Sequence, residues 1–242
     1  MRITTKILSV AASVALVAGA GAMAAVPAGA AGSHVHGKDT IKGSSTIGLP
    51  PTLIETLTAA GVSLNQTGGT LTVDGSTGYA NITFPVTKPV EDGVINHSGV
   101  LEITGAATGV TLTLTDPVVT YASDGSATGA LGGTLNGLPS WMEPFSSALN
   151  GTVRMPFDLT DLKLTVKTGK VAKKGKGFAR ADRVSATGMM SFTDSQESAN
   201  IFNTALVGPT ATPLFTPGQE LGVVTTSFTV THVCKTKAEC KA

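Results

Sequence analysis

From residue 70 to residue 233, apolar side chains recur on every second position, with threonine in many of the places between. Leu71 and Val73 begin the pattern. Ile82, Phe84 and Val86 alternate with Thr83 and Pro85, and Leu101 and Ile103 precede Val110, Leu112 and Leu114. Further on come Val153, Met155, Phe157 and Leu159, then Leu162, Leu164 and Val166, and finally Val224, Phe228 and Val230. A period of two gives a strand one core face and one wet face, the signature of antiparallel sheet. Gly68-Gly69, Asp74-Gly75, Asp92-Gly93 and Asp124-Gly125 separate the runs and read as turns. Pro85 and Pro117 lack an amide proton and mark strand edges or ends. The change of phase between Leu159 and Leu162 predicts a β-bulge. The expected fold class is all-β: an antiparallel two-sheet β-sandwich with short peripheral helices.

Two helices interrupt the period. Pro50 to Val62 has prolines for its first turn, Leu53, Ile54, Leu57 and Ala60 at helical spacing, and Gly61 as a stop. Asp194 to Leu206 has a capping aspartate, Glu197 in the first turn, and Ala199, Phe202 and Leu206 along one face. This second helix is expected to plug one end of the sandwich. Gly132 to Gly151, which holds the single Trp141, reads as a connection. Val184 to Phe192 reads as a strand. His232 shares the parity of Phe228 and Val230 and is expected half-buried rather than a ligand.

The first 31 residues have the order of an export signal: Arg2 and Lys6, an uncharged apolar run, then small-x-small sites at Ala28-Gly29-Ala30 and Gly29-Ala30-Ala31. No second run is long and apolar enough to span a bilayer. The expected division is a signal peptide at 1–31, a flexible leader at 32–49, a β-sandwich domain at 50–233 and a tail at 234–242. The location is then extracellular or at the cell surface. Cleavage after Ala31 would expose Gly32-Ser33-His34, whose amine, amides and His34 imidazole suit square-planar Cu(II) or Ni(II). Cys234 and Cys240, the only cysteines, are expected to form a disulfide in an oxidising space.

Charge is divided unevenly. Residues 32–150 carry three lysines and nine acids, a net of −6, whereas 151–242 carry 12 basic residues and seven acids, a net of +5. Lys163, Lys167, Lys170, Lys173, Lys174, Lys176, Arg180 and Arg183 crowd one stretch with Gly169, Gly175 and Gly177 between them. That alternation reads as a solvated hairpin tip, either a plain charged loop or a contact for an anionic cell-wall polymer. Phe178 alone interrupts it, so the aromatic platform of a single-stranded nucleic-acid binder is missing.

Gly-x-Ser-x-Gly, phosphate-binding glycine loops and zinc-protease spacing are all absent from the sequence. Four histidines and scattered acids leave little for acid–base chemistry. The inventory points to a binding or structural module rather than an enzyme.

Four segments in order resemble a known family. They are Ile82-Thr83-Phe84-Pro85-Val86; Gly93 to Leu101, with its His-x-Gly-x-Leu turn; Leu112 to Val119, with Pro117; and Phe192-Thr193 through Phe202 to the last strand. The chain resembles the Htaa-type domain of secreted and surface proteins from high-GC Gram-positive bacteria, known for haem capture. The resemblance implies a haem-binding β module in which a Tyr near the domain start ligates the iron and a His supports it. His97 matches that His. The Tyr has no counterpart, because residues 41–64 contain no aromatic. Tyr79 and Tyr121, the only tyrosines, fall elsewhere and with His97 are the candidate ligand-binding residues. A binding module, with haem as the implied ligand, stands beside the alternative of an adhesive envelope protein using its basic loop.

Overall fold

The computed structural model of the chain describes residues 39–91, 94–121, 129–136, 153–154, 157–192 and 196–241. Among them are thirteen strands, all paired antiparallel, and two short α-helices. The strands are β1 (Thr40–Leu49), β2 (Val62–Thr67), β3 (Thr70–Val73), β4 (Ala80–Glu91), β5 (Val94–His97), β6 (Val100–Gly105), β7 (Thr111–Tyr121) and β8 (Gly129–Asn136). They continue as β9 (Val153–Arg154), β10 (Phe157–Lys167), β11 (Ala172–Lys174), β12 (Gly177–Phe192) and β13 (Glu220–Cys234). The helices are α1 (Pro51–Ala59) and α2 (Gln196–Val207).

The antiparallel all-β expectation holds, but the strands form one hydrogen-bonded network rather than two separate sheets. Its order is β10-β12-β13-β1-β4-β5-β7-β6-β2, with β3 on β4, β11 on β12, and β8 between β7 and β9. β4 is the shared strand. Its first half, Ala80 to Pro85, pairs with β1; from Val86 onward it pairs with β5. Pro85 stands at this hand-over, where the ladder has no use for an amide proton. Apolar residues from both halves of the network join a single buried core.

Three boundaries differ from the sequence reading. Residues 40–49 are not leader but β1, an interior strand between β13 and β4. Of its inward parity Ser45, Ile47 and Leu49 are buried, and Gly43 and Ser45 leave no large apolar side chain between Ile41 and Ile47 for the period of two to show. Residues 132–136, read as connection, belong to β8; Trp141 lies outside the described residues. The basic stretch is mostly strand, since β10 runs to Lys167 and β12 already begins at Gly177.

The helices follow expectation. α1 starts on Pro50 and Pro51, buries Leu53 and Leu57, and is followed by Gly61 at φ 70°. α2 buries Ala199, Phe202 and Leu206; Asp194 lies outside the described residues. Its last turn closes on the β6–β7 turn. Thr108 Oγ1 donates to the Ala205 carbonyl at 2.6 Å, and the Leu206 backbone lies directly on Gly105.

The expected bulge is present in β10. The register with β12 shifts between Thr160 and Lys163, Asp161 takes φ 53°, and Leu159 and Leu162 both reach the core. Gly188 makes room for the second of them: a Cβ there would stand 2.3 Å from Leu162 Cδ1 and 3.2 Å from the Thr160 carbonyl. Gly188→Ala should therefore cost ~2 kcal/mol by overpacking. A urea unfolding midpoint unchanged from wild type would show that the bulge absorbs the methyl.

Candidate functional site

The His-x-Gly turn places His97 at the end of β5. Alternation along Ile95 and His97 sends both side chains inward, and His97 is 4% exposed. It pairs with Val86 on the far half of β4, yet its ring reaches β1 and β7. Nε2 lies 2.7 Å from Ser45 Oγ, and Nδ1 lies 3.0 Å from the Pro117 carbonyl oxygen. Ser45 Oγ in turn lies 2.7 Å from Thr226 Oγ1. Thr226 is the register partner of Ser45 across β1 and β13.

The chemistry of these atoms fixes the proton positions. A carbonyl only accepts, so Nδ1 carries the proton and donates to Pro117. In the neutral ring Nε2 is then an acceptor and takes the Ser45 hydroxyl proton. The Ser45 oxygen accepts from Thr226. Burial lowers the His97 pKa from 6.5 to about 4, partly opposed by the Pro117 hydrogen bond, so the ring is neutral around pH 7.

A bulge aims the carbonyl. Asp116 sits at φ 48°, its amide donates to the Gly99 carbonyl at 2.9 Å, and the β7–β8 register shifts between Thr115 and Val118. This kink follows the turn after His97 and brings Pro117 under the ring. Pro117 has no amide to lose from the ladder, which suits it to the place.

A Ser–His pair at this distance is the geometry of a base-activated nucleophile. Here both partners are closed off from solvent, Ser45 also being 4% exposed, and the third group is a carbonyl rather than a carboxylate. The arrangement is a buried chain of hydrogen bonds that ties β13 and β1 to β5 and β7 across the shared strand. Both ring nitrogens of His97 are spent within it. Among the described residues no cluster of three or more His, Cys, Asp or Glu could hold a metal ion.

The other sequence candidates fall elsewhere. Tyr79 precedes β4, is 36% exposed, and its carbonyl accepts from the Asp74 amide; no described contact joins it to His97. Tyr121 ends β7, and its side chain lies outside the described residues, as does His34. Lys163, Lys167, Lys170, Lys173, Lys174, Lys176 and Arg183 are exposed, and no ion pair among the described residues engages them. Arg180 is different. It is half-buried, its Nε donates to Asp182 Oδ2 at 3.0 Å, and its guanidinium also donates to the Cys240 carbonyl at 2.7 Å.

Sequence reading missed Ser45, Thr226 and the Asp39–His232–Asp182 cluster. His232 does share the inward parity of Phe228 and Val230 and is half-buried, as expected. Its Nδ1 lies 2.9 Å from Asp39 and its Nε2 3.3 Å from Asp182. This group lies beside the Cys234–Cys240 disulfide, which is formed as expected with Cα atoms 5.5 Å apart. No helix among the described residues is long and apolar enough to cross a membrane.

No family model and no curated protein matches the chain. Among solved structures, the chain is similar to the crystal structure of the C-terminal domain of HtaA from Corynebacterium glutamicum, at 13% sequence identity and a TM-score of 0.43, covering 79% of this chain and 99% of that one.

Proposed function

We propose that this chain is an exported, non-enzymatic binding module, derived from a haem-capturing domain, that contacts an anionic surface polymer through its basic β10–β12 arm, residues 163–183. Export rests on the charged, apolar and small-residue order of residues 1–31. Descent rests on the four segments that resemble the Htaa-type domain. The observation that carries the functional choice is the contrast between the two candidate sites. His97 is sealed and offers no free nitrogen, whereas seven cations of the arm face solvent without a counter-ion among the described residues.

Haem ligation in the mode that the resemblance implies would need a tyrosinate oxygen from the segment near the domain start. The hydroxyl that meets His97 from the segment near the domain start is that of Ser45. A serine hydroxyl ionises far less readily than a phenol, whose pKa is about 10, and it is a poor ligand for ferric iron. The arm suits a different partner: flexible lysines around an exposed turn neutralise a polyanion without needing a pocket.

Two measurements on the processed protein test this. Haem titration should give no Soret shift, and a shift abolished by His97→Ala would overturn the reading. Isolated cell walls should bind the protein at about 0.05 M salt and release it by about 0.5 M, where charge is screened within a few ångströms. Neutralising Lys170, Lys173, Lys174 and Lys176 to Gln should weaken that binding without shifting the melting temperature. Salt-independent retention would remove the electrostatic basis of the proposal.

A further inference from the structure

The strand registers show something about the outward face of the sheet that the basic stretch does not. Lys167 stands opposite Arg183, Arg183 opposite Thr229, and Thr229 opposite Lys42, a row crossing β10, β12, β13 and β1. Four residues along β10 from Lys167, the parallel row runs from Lys163 through Thr187 and Thr225 to Thr46 and on to Thr83 of β4. The row between them carries a hydroxyl on each of its four strands, from Thr165 to Ser44. None of the three rows contains a carboxylate. Lys42, Lys163, Lys167 and Arg183 are exposed, and no ion pair among the described residues engages them. Lys42 lies far from the basic stretch in sequence and joins it only through β13.

The dimensions are those of a flat tray. Strand spacing of about 4.8 Å puts the Lys167-to-Lys42 row across about 14 Å, and the two outer rows lie about 13 Å apart. Cations at three corners, with hydroxyls between them, match a chain that alternates anionic groups with hydroxyls. No aromatic residue lies in the rows, so base stacking and sugar-ring stacking are not what the face offers.

We infer that this outward face is the docking surface for an anionic polysaccharide, with Lys42, Lys163, Lys167 and Arg183 pairing its charges and the threonine row hydrogen-bonding its hydroxyls. This rests on the anionic-partner reading above and moves the contact from the tip of the arm to the sheet. The probes are dextran sulfate, uncharged dextran and long-chain inorganic polyphosphate, bound to the intact processed protein at low salt. Dextran sulfate should bind and dextran should not. Lys42→Gln should weaken dextran sulfate by up to about fivefold, as expected for one exposed ion pair. The pair Thr187→Val and Thr225→Val, which keeps strand shape, should weaken dextran sulfate but leave polyphosphate unchanged. Lys173→Gln with Lys174→Gln and Lys176→Gln should have less effect per charge than Lys42→Gln. If Lys42→Gln and the threonine pair leave dextran sulfate unaffected while the tip variant abolishes it, the face is wrong and the arm reading stands. Equal loss of both polymers in the threonine pair would overturn polysaccharide recognition. Failure of the wild type to bind either polyanion would overturn both readings. Melting curves of each variant separate lost contact from lost fold.

Discussion

Acidification from pH 6.5 to pH 4 should cost the fold about 3 kcal/mol through one imidazole, that of His97. The unfolded ring takes a proton near its ordinary value of 6.5, and the folded ring only near 4. Between these values the unfolded state binds more protons, so falling pH favours unfolding; the contribution is fully present above pH 6.5 and gone below pH 4. The separation of about 2.5 pH units, at about 1.4 kcal/mol each, caps the effect at about 3.5 kcal/mol, most of which falls between pH 6.5 and pH 4. Asp74 titrates outside this window. The side-chain and amide hydrogen bonds of Ser76, then those of Thr77, lower its pKa to about 2, so it contributes mainly below pH 4. Urea unfolding of wild type and His97→Gln across pH 4 to 7.5 isolates the histidine. The glutamine variant should be less stable at neutral pH and nearly flat over the window. Parallel slopes for the two proteins would mean that the ring titrates as freely folded as unfolded, and the sealed network would be refuted.

Replacing Asn203 with alanine should destabilise the protein by about 4 kcal/mol, although the residue touches no ligand. Asn203 lies on α2, buried, and fastens the loop that follows. Its Oδ1 accepts from the Leu214 and Phe215 amides at 2.8 and 2.9 Å, and its Nδ2 donates to the Phe215 carbonyl at 2.8 Å. Alanine leaves three backbone groups unpaired around a buried side chain, at roughly 1–3 kcal/mol for each that water cannot reach. The loop matters because Phe215 packs on Phe192 and Phe202 at centroid distances of 5.0 and 6.3 Å. A loss of less than about 1 kcal/mol in the urea midpoint, with unchanged m-value, would show that the loop is held by the phenylalanine alone. Phe215→Ala, expected at about 4 kcal/mol from lost burial and a residual cavity, supplies the comparison.

The architecture was legible wherever an inward position carries a large apolar side chain. Val224, Phe228 and Val230 announced β13, and Leu159 with Leu162 announced the bulge, because the hydrophobic period is itself a record of burial. β1 was hidden because Gly43 and Ser45 leave it no large apolar side chain between Ile41 and Ile47. Gly43 is pressed so closely on β13 that a Cβ would meet Phe228 at 2.4 Å to its Cα, and Ser45 is needed for its hydroxyl. The strand that contributes Ser45 to the candidate site was thus the one the sequence pattern concealed.

Local sequence determined what local physics can decide: an antiparallel β chain, two short helices, a short disulfide loop and a basic stretch in the C-terminal half. Tertiary structure alone decided what those pieces do to one another. His97 became a neutral core residue because strands 52 and 20 residues away in sequence bring Ser45 and the Pro117 carbonyl to its two nitrogens. Lys42 joined the cations of β10 and β12 because a register through β13 set them in one row. Hydrogen-bond partners and charge neighbours across a sheet are chosen by strand order, and strand order follows from the packing of the whole core rather than from any window of residues.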